Sequence, residues 1–244
     1  MSDPLVQRYR AARRDRGLAV LEGFHALKHA LRFGAEPLEA VASDGEELER
    51  LAAELAPDLA GSLAQRVTPV EAEVLARMAP HAPRTGVIAI ARRPAADVAA
   101  ALADRRAAPV ILLEDPRSMG NMGACVRVAA AADAAAVLTT GSNDPWHPEA
   151  LRGAAGLHFA LPVAPVGELP ETDRPLVAID PDGESSDLRS LSPRAILAFG
   201  TERYGLSAAL LERADERLAI PMRDGVSSLN LATAVAAVLF SQRL

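Results

Sequence analysis

Apolar residues along this chain alternate between short continuous runs and longer stretches where they recur at helical spacing. Residues 18–21, 38–42, 65–68 and 86–91 read as strands. Between them, 22–33 reads as an amphipathic helix ending at Gly34, and 46–55 as a second helix. Pro69 stands in the first turn of a third helix that runs through Met78. Strands alternating with helices predict a packed α/β sandwich over residues 1–92. Residues 93–108, rich in Ala, Arg and Pro, read as a linker carrying a short helix. A second unit, 109–244, has apolar runs at 110–114, 136–140, 159–163, 176–180, 195–200 and 217–221. Helical stretches fall between most of these runs, so an open parallel sheet is the default. The predicted class is α/β throughout, with no internal repeat.

Composition narrows the function. Half of the residues are apolar, enough for a real core, but only 3% are aromatic. That scarcity argues against reading single-stranded RNA by stacking platforms. The one cysteine, Cys125, cannot form an internal disulfide, as expected of a cytoplasmic protein, and no zinc-type Cys/His cluster occurs. The charged N-terminus lacks the apolar core of a signal peptide, and no run of about 18 apolar residues suggests a membrane span. The formal net charge of −6 is unlike that of a generally basic nucleic-acid binder. Positive charge is local: Arg8, Arg10, Arg13 and Arg14 crowd the N-terminus. Arg suits phosphate through its planar fork, so nucleic-acid affinity is expected to be local and salt-sensitive.

Three blocks carry the candidate chemistry. The first holds Asn121, Gly123 and Arg127 on a predicted helix. The second is an apolar strand running into Gly200, Glu202 and Gly205. The third holds Ile220, Pro221 and Met222, then Ser227, Ser228, Leu229 and Asn230 where a long Ala-rich helix starts. Ser and Asn at that place are ordinary caps for unpaired amides. Together and in this order, the blocks resemble the motifs of the SpoU/TrmH family of RNA 2′-O-ribose methyltransferases, part of the SPOUT superfamily. The softer signals Leu21-Glu22-Gly23, Thr68-Pro69 and the strand after Thr85 resemble an L30e-like substrate-binding domain ahead of it.

The resemblance implies several things that periodicity does not. It implies a deep C-terminal trefoil knot, threading the last helix from about Ser228, and S-adenosylmethionine as cofactor with no metal. It implies a homodimer and an RNA substrate, with rRNA favoured over tRNA. Arg127 would contact RNA and activate the 2′-hydroxyl; because Arg stays protonated, electrostatic stabilisation fits it better than general-base chemistry. Asn121 would orient Arg127 or the ribose and cap its helix. Glu202, Ser228 and Asn230 complete the catalytic set. Gly200, Ile220, Met222, Ser228, Leu229 and Asn230 would hold the cofactor, and residues 176–180 would close one wall of its cleft. Arg8, Arg10, Arg13, Arg14 and Arg152 would meet RNA. Two departures stand out. Asp115-Pro116 is separated from Asn121 by Arg117, Ser118, Met119 and Gly120, and the glycine usual after the first helix is replaced by Asp133 or Ala134.

Two other readings weigh less. A non-catalytic RNA-binding protein on the same scaffold would not need Asn121, Arg127, Glu202, Ser228 and Asn230 together. A Rossmann oxidoreductase would need a phosphate-cradling glycine loop, and Gly120 and Gly123 do not form that fingerprint.

Overall fold

The computed structural model describes residues 3–185, 187–201 and 203–241. The strands are β1 (Leu18–Glu22), β2 (Pro37–Ala42), β3 (Thr68–Pro69), β4 (Val87–Arg92), β5 (Val110–Leu113), β6 (Ala136–Thr139), β7 (Val163–Pro165), β8 (Leu176–Ser185), β9 (Ile196–Phe199) and β10 (Glu216–Ala219). The helices are α1 (Pro4–Ala12), α2 (Phe24–Arg32), α3 (Gly45–Leu55), α4 (Ala60–Arg66), α5 (Ala72–Ala76), α6 (Val98–Ala103), α7 (Met119–Ala131), α8 (Pro148–Gly153), α9 (Ala208–Arg213) and α10 (Leu231–Ser241). They form two compact units: residues Met1–Ala95 with Trp146–Ala160, and Ala96–Pro145 with Leu161–Leu244.

The first unit holds a four-stranded sheet in the order β1-β4-β2-β3, antiparallel except for the β2–β3 pair. Asp3 starts α1 by accepting from the Leu5 amide, with Pro4 in the first turn. That fixes Val6, Tyr9 and Ala12 on one buried face. They pack with Val20, Val41, Leu75, Met78 and Ile88. Gln65 lies in α4, not in a strand, and Pro69 lies in β3, not in the first turn of α5. β3 pairs only with β2, and an edge strand tolerates a residue without an amide donor.

Residues 146–160 fall inside the expected 109–244 domain but pack in the first unit. Gly156, at φ 78°, presses on the backbone of α2: a Cβ there would lie 2.3 Å from the Ala26 carbonyl oxygen. His29 Nδ1 donates to the Ala155 carbonyl at 2.7 Å. Arg152 pairs with the buried Glu22 at 3.0 Å. The expected strand at 159–163 is displaced for the same reason. Leu157–Phe159 is a 3-10 turn, the Phe159 ring packs on Trp146 (centroids 5.2 Å apart), and β7 starts only at Val163.

The second unit is a six-stranded sheet in the order β10-β8-β9-β5-β6-β7, with every pair parallel. β5 and β9, flanked on both sides, are buried at every position, which is why they read as unbroken apolar runs. The stretch 93–108 is not a free connection. Asp97 caps α6, and Ala101 and Leu102 sit in the core of this unit. Arg174, only 3% exposed, ties it down. Its guanidinium donates to the carbonyls of Ala101, Leu102, Asp104, Ala108 and Arg194 at 2.8–3.2 Å. Burial opposes the charged form of Arg174, and this fan of acceptors compensates. Asp133 takes the left-handed turn after α7 at φ 50°, a conformation glycine adopts without strain.

Two outcomes follow from this packing. Arg174→Met orphans buried carbonyls and is expected to lower stability by about 3 kcal/mol, read from the urea midpoint; an unchanged midpoint would show the fan to be dispensable. Burial also holds His29 below its usual pKa of 6.5, with Lys28, Arg32 and His25 adding to the shift. A depressed histidine favours the neutral form in the fold, so its contribution is full above that value and is lost as pH falls through it. Carboxylates held low by arginine, such as Asp58 and Asp173, act only in a more acidic window. Melting temperature should therefore fall between pH 7.5 and 5.5 in the wild type and fall less in His29→Gln.

Candidate active site

Open parallel sheets leave a crevice at the carboxyl ends of their strands. Here a cavity of about 360 Å³ opens past the ends of β9 and β10, beside β8. Ile179, Phe199, Ile220, Met222, Leu229 and Leu231 form its apolar walls, while Asp180, Thr201, Arg203, Ser227 and Ser228 supply polar groups. Gly200, Ile220, Met222, Ser228 and Leu229, expected at a cofactor site, all border this space. Asn230 does not border it and acts elsewhere.

Glycine is required at the cavity floor. Thr201 and Gly205 exchange amide–carbonyl bonds of 3.0 and 3.1 Å, closing a tight turn. A Cβ on Gly200 would lie 2.0 Å from the Gly205 carbonyl carbon, and Gly205 itself stands at φ 66°. Glu202, the acid of this block, lies outside the described residues.

Asn230 joins the first and third blocks. Its Oδ1 accepts from the Ala232 and Thr233 amides at 3.0 and 3.4 Å, capping α10. Its Nδ2 donates to Asn121 Oδ1 at 3.1 Å. The α10 helix thus starts at Leu231, later than Ser228. Asn121 is not the cap of α7; Ser118 is, accepting from the Asn121 amide. The four residues between Pro116 and Asn121 are therefore a short loop, the cap and the first turn of α7. Asn121 does not orient Arg127 either. Six residues along a helix turn the side chain about 120° away. Arg127 is exposed and has no hydrogen-bond or ion-pair partner among the described residues.

The arginines expected to meet RNA divide into two groups. Arg8 is held by Glu39 in two bonds of 2.8 and 3.1 Å. Arg13 and Arg152 share the buried carboxylate of Glu22. Arg10 and Arg14 instead line a second cavity, also about 360 Å³, with Arg13, Arg77, Met78, Ala79 and Pro80. Arg10 Nε donates to the Arg77 carbonyl at 3.1 Å, and no carboxylate among the described residues pairs with Arg10. Arg77 was not singled out in the sequence, because only the return of α5 toward α1 makes it part of the cluster. Ile179 and Asp180, at the end of the strand that the resemblance puts along one wall of the cofactor cleft, border the first cavity. Among the described residues no group of three or more His, Cys, Asp or Glu is placed to hold a metal, and no helix is long and apolar enough to cross a membrane.

The SpoU rRNA Methylase family model matches residues 108–240. A Mycobacterium bovis protein described as an uncharacterized tRNA/rRNA methyltransferase is 34% identical over 242 residues, covering 93% of this chain and 81% of its own. The SpoU methyltransferase AviRb from Streptomyces viridochromogenes, solved with AdoMet, shares the fold, with TM-score 0.78 and 24% identity over 99% of this chain and 97% of its own. The crystal structure of an RNA 2′-O ribose methyltransferase matches with TM-score 0.75 and 27% identity, again over 99% of this chain and 97% of its own.

Asn230→Ala is expected to cost about 1 kcal/mol of stability by removing the cap. Asn230→Asp keeps a capping carboxylate at a helix N-terminus and should recover most of it. Gly200→Ala forces a methyl group against the Gly205 carbonyl and should cost about 1–3 kcal/mol, as overpacking does. Chemical denaturation reads all three, and a Gly200→Ala protein as stable as wild type would contradict the close contact.

Proposed function

Because this chain belongs to the SpoU rRNA methylase family, we propose that it methylates a ribose 2′-hydroxyl of RNA from S-adenosylmethionine, with rRNA favoured over tRNA as the substrate. One observation carries the reading: residues of the second and third blocks converge on a single cavity at the strand ends. Its volume falls in the range of small-molecule sites, and its mixed walls suit a ligand with a flat base and polar arms. Gly200 lets backbone approach where any side chain would collide. AviRb, of the same fold, was solved with this cofactor.

The cofactor, when bound, supplies an electrophilic methyl group on a sulfonium. The residues present would do the rest. Ile220, Met222, Leu229 and the Gly200 backbone hold the cofactor in place and exclude water. Arg127, a free cation on an exposed helix face, stabilises the alkoxide that forms as the 2′-hydroxyl oxygen attacks and its proton passes to solvent. One such donor contributes roughly 2.7–4 kcal/mol to the transition state. Asn121 and Asn230 fix α7 and α10 to each other and so fix where Arg127 stands. Ser228, exposed at the cavity rim, completes the polar edge.

The first unit is read as an L30e-like RNA-binding domain. Its support is the basic cavity of Arg10, Arg14 and Arg77 on a chain of net charge −6. Arg8, Arg13 and Arg152, already paired with carboxylates, are secondary phosphate contacts. A trefoil knot of the last helix, a homodimer through α10 with its exposed Phe240, and a cytoplasmic location complete the reading.

Label transfer from methyl-labelled S-adenosylmethionine to separated unmodified rRNA and tRNA tests it. Label should enter rRNA, and Arg127→Ala should lower the rate about 100- to 1,000-fold while cofactor binding persists. Label in tRNA alone would reassign the substrate, and label in neither, with cofactor bound, would favour a non-catalytic RNA-binding role. Arg14→Glu with Arg77→Glu should weaken RNA binding and reduce its salt slope by roughly one per lost phosphate contact.

A further inference from the structure

Strand β8 leaves its partner β10 partway along. Val177 and Ala178 pair with Glu216 and Arg217, but the next pairs join Glu184 and Ser185 to Leu218 and Ala219. The residues between bulge out of that ladder beside the cavity. Bulges of this kind re-aim side chains near sites. This one is rigidly seated, because Gly183 packs so close to the Leu218 backbone that a Cβ would lie 2.7 Å from it.

Asp180 sits at the start of the bulge and is 8% exposed, yet it borders the cavity. Its two oxygens have different fates. Oδ1 accepts from the Asp182 amide at 2.8 Å and from Arg217 at 2.8 Å. Oδ2 meets no donor among the described residues. A Cβ on Gly205 would stand 4.0 Å from Oδ2, at ordinary contact distance. Because Asp180 borders the cavity, this oxygen is open to a donor carried by a ligand there.

We propose that Asp180 is a specificity-determining contact of this cavity, whose Oδ2 accepts a hydrogen bond from a ribose hydroxyl of the bound nucleoside. The inference rests on the cavity being the cofactor site. A hydroxyl suits the geometry better than the cofactor's ammonium. An ammonium carries three donors and a full charge, whereas Asp180 offers one free oxygen and its own charge is already met by Arg217. An acid at the end of a parallel strand holding a ribose hydroxyl is also a chemically general solution in open α/β sheets.

The test is calorimetric binding of S-adenosylhomocysteine and its 2′-deoxy and 3′-deoxy ribose forms. Arg217→Met sets the baseline, because it removes the ion pair but keeps the carboxylate. Against it, the Asp180→Ala, Arg217→Met double variant removes the acceptor without orphaning a cation. The double variant should bind the parent ligand about 10- to 100-fold more weakly, the range for one hydrogen bond to a charged group. It should bind one of the two deoxy ligands no more weakly than the baseline does. Asp180→Asn in the otherwise wild-type chain makes the same comparison with the Oδ1 bonds retained, should the double variant unfold. Equal losses for all three ligands would mean a merely structural role and overturn the proposal, as would no loss at all. Failure of the wild type to bind the parent ligand would instead overturn the cofactor reading, and the inference with it.

Discussion

In the larger unit, one side chain both caps α10 and bonds to α7. Asn230 satisfies the first amides of α10 with its oxygen and reaches Asn121 on α7 with its nitrogen. A helix N-terminus that lacks such a partner leaves amides unpaired, and a side chain that serves two helices at once fixes their relative slide. The cavity wall at Leu229 and Leu231 flanks Asn230 in sequence, and Arg127 rides on the helix that Asn230 grips. Position at the site thus follows from a cap. In the mechanism proposed for Arg127 the charge acts by being already in place, so this contact bears on where that charge stands.

The same economy recurs with buried charge. Glu22 is nearly inaccessible and takes Arg13 from one side and Arg152 from the other, joining α1 and α8 to β1. Arg174 answers five carbonyls and turns an Ala-rich connection into a packed helix. In each case a costly buried ion is stabilised only because distant segments bring complementary groups to it. These ions specify which segments meet, while the bulk of the burial comes from Ala, Val, Leu and Ile.

Legibility in the sequence tracks the range of the forces involved. The inner strands β5, β6 and β9 were readable because parallel strands buried on both faces appear as unbroken apolar runs, whereas the edge strand β7 was misplaced. The Ser/Asn cluster read as a cap for α10 was legible because Asn230 lies within three residues of the amides it caps. The excursion at 146–160 was not readable. Its place depends on Gly156 meeting Ala26 and on an ion pair spanning 130 positions. Asp133 shows a local rule met in substance though not in residue, since it adopts the left-handed turn that glycine usually fills. For the site, Gly200, Ile220 and Leu229 were found by resemblance to a family. Backbone contacts leave no side-chain signature, and an apolar residue lining a ligand looks like any other core residue. Arg77 was missed because only the fold gives it neighbours.

The central claim is that the cavity bounded by Gly200, Ile220 and Leu231 is where the methyl donor binds. Nuclear Overhauser transfer from carbon-13 methyl-labelled S-adenosylmethionine to the protein's methyl groups tests this directly. Cross-peaks to Ile220, Leu229 and Leu231, lost in Gly200→Ala, are the expected result. Saturable binding with cross-peaks only to methyl groups of the first unit, or no binding at millimolar ligand, would contradict it.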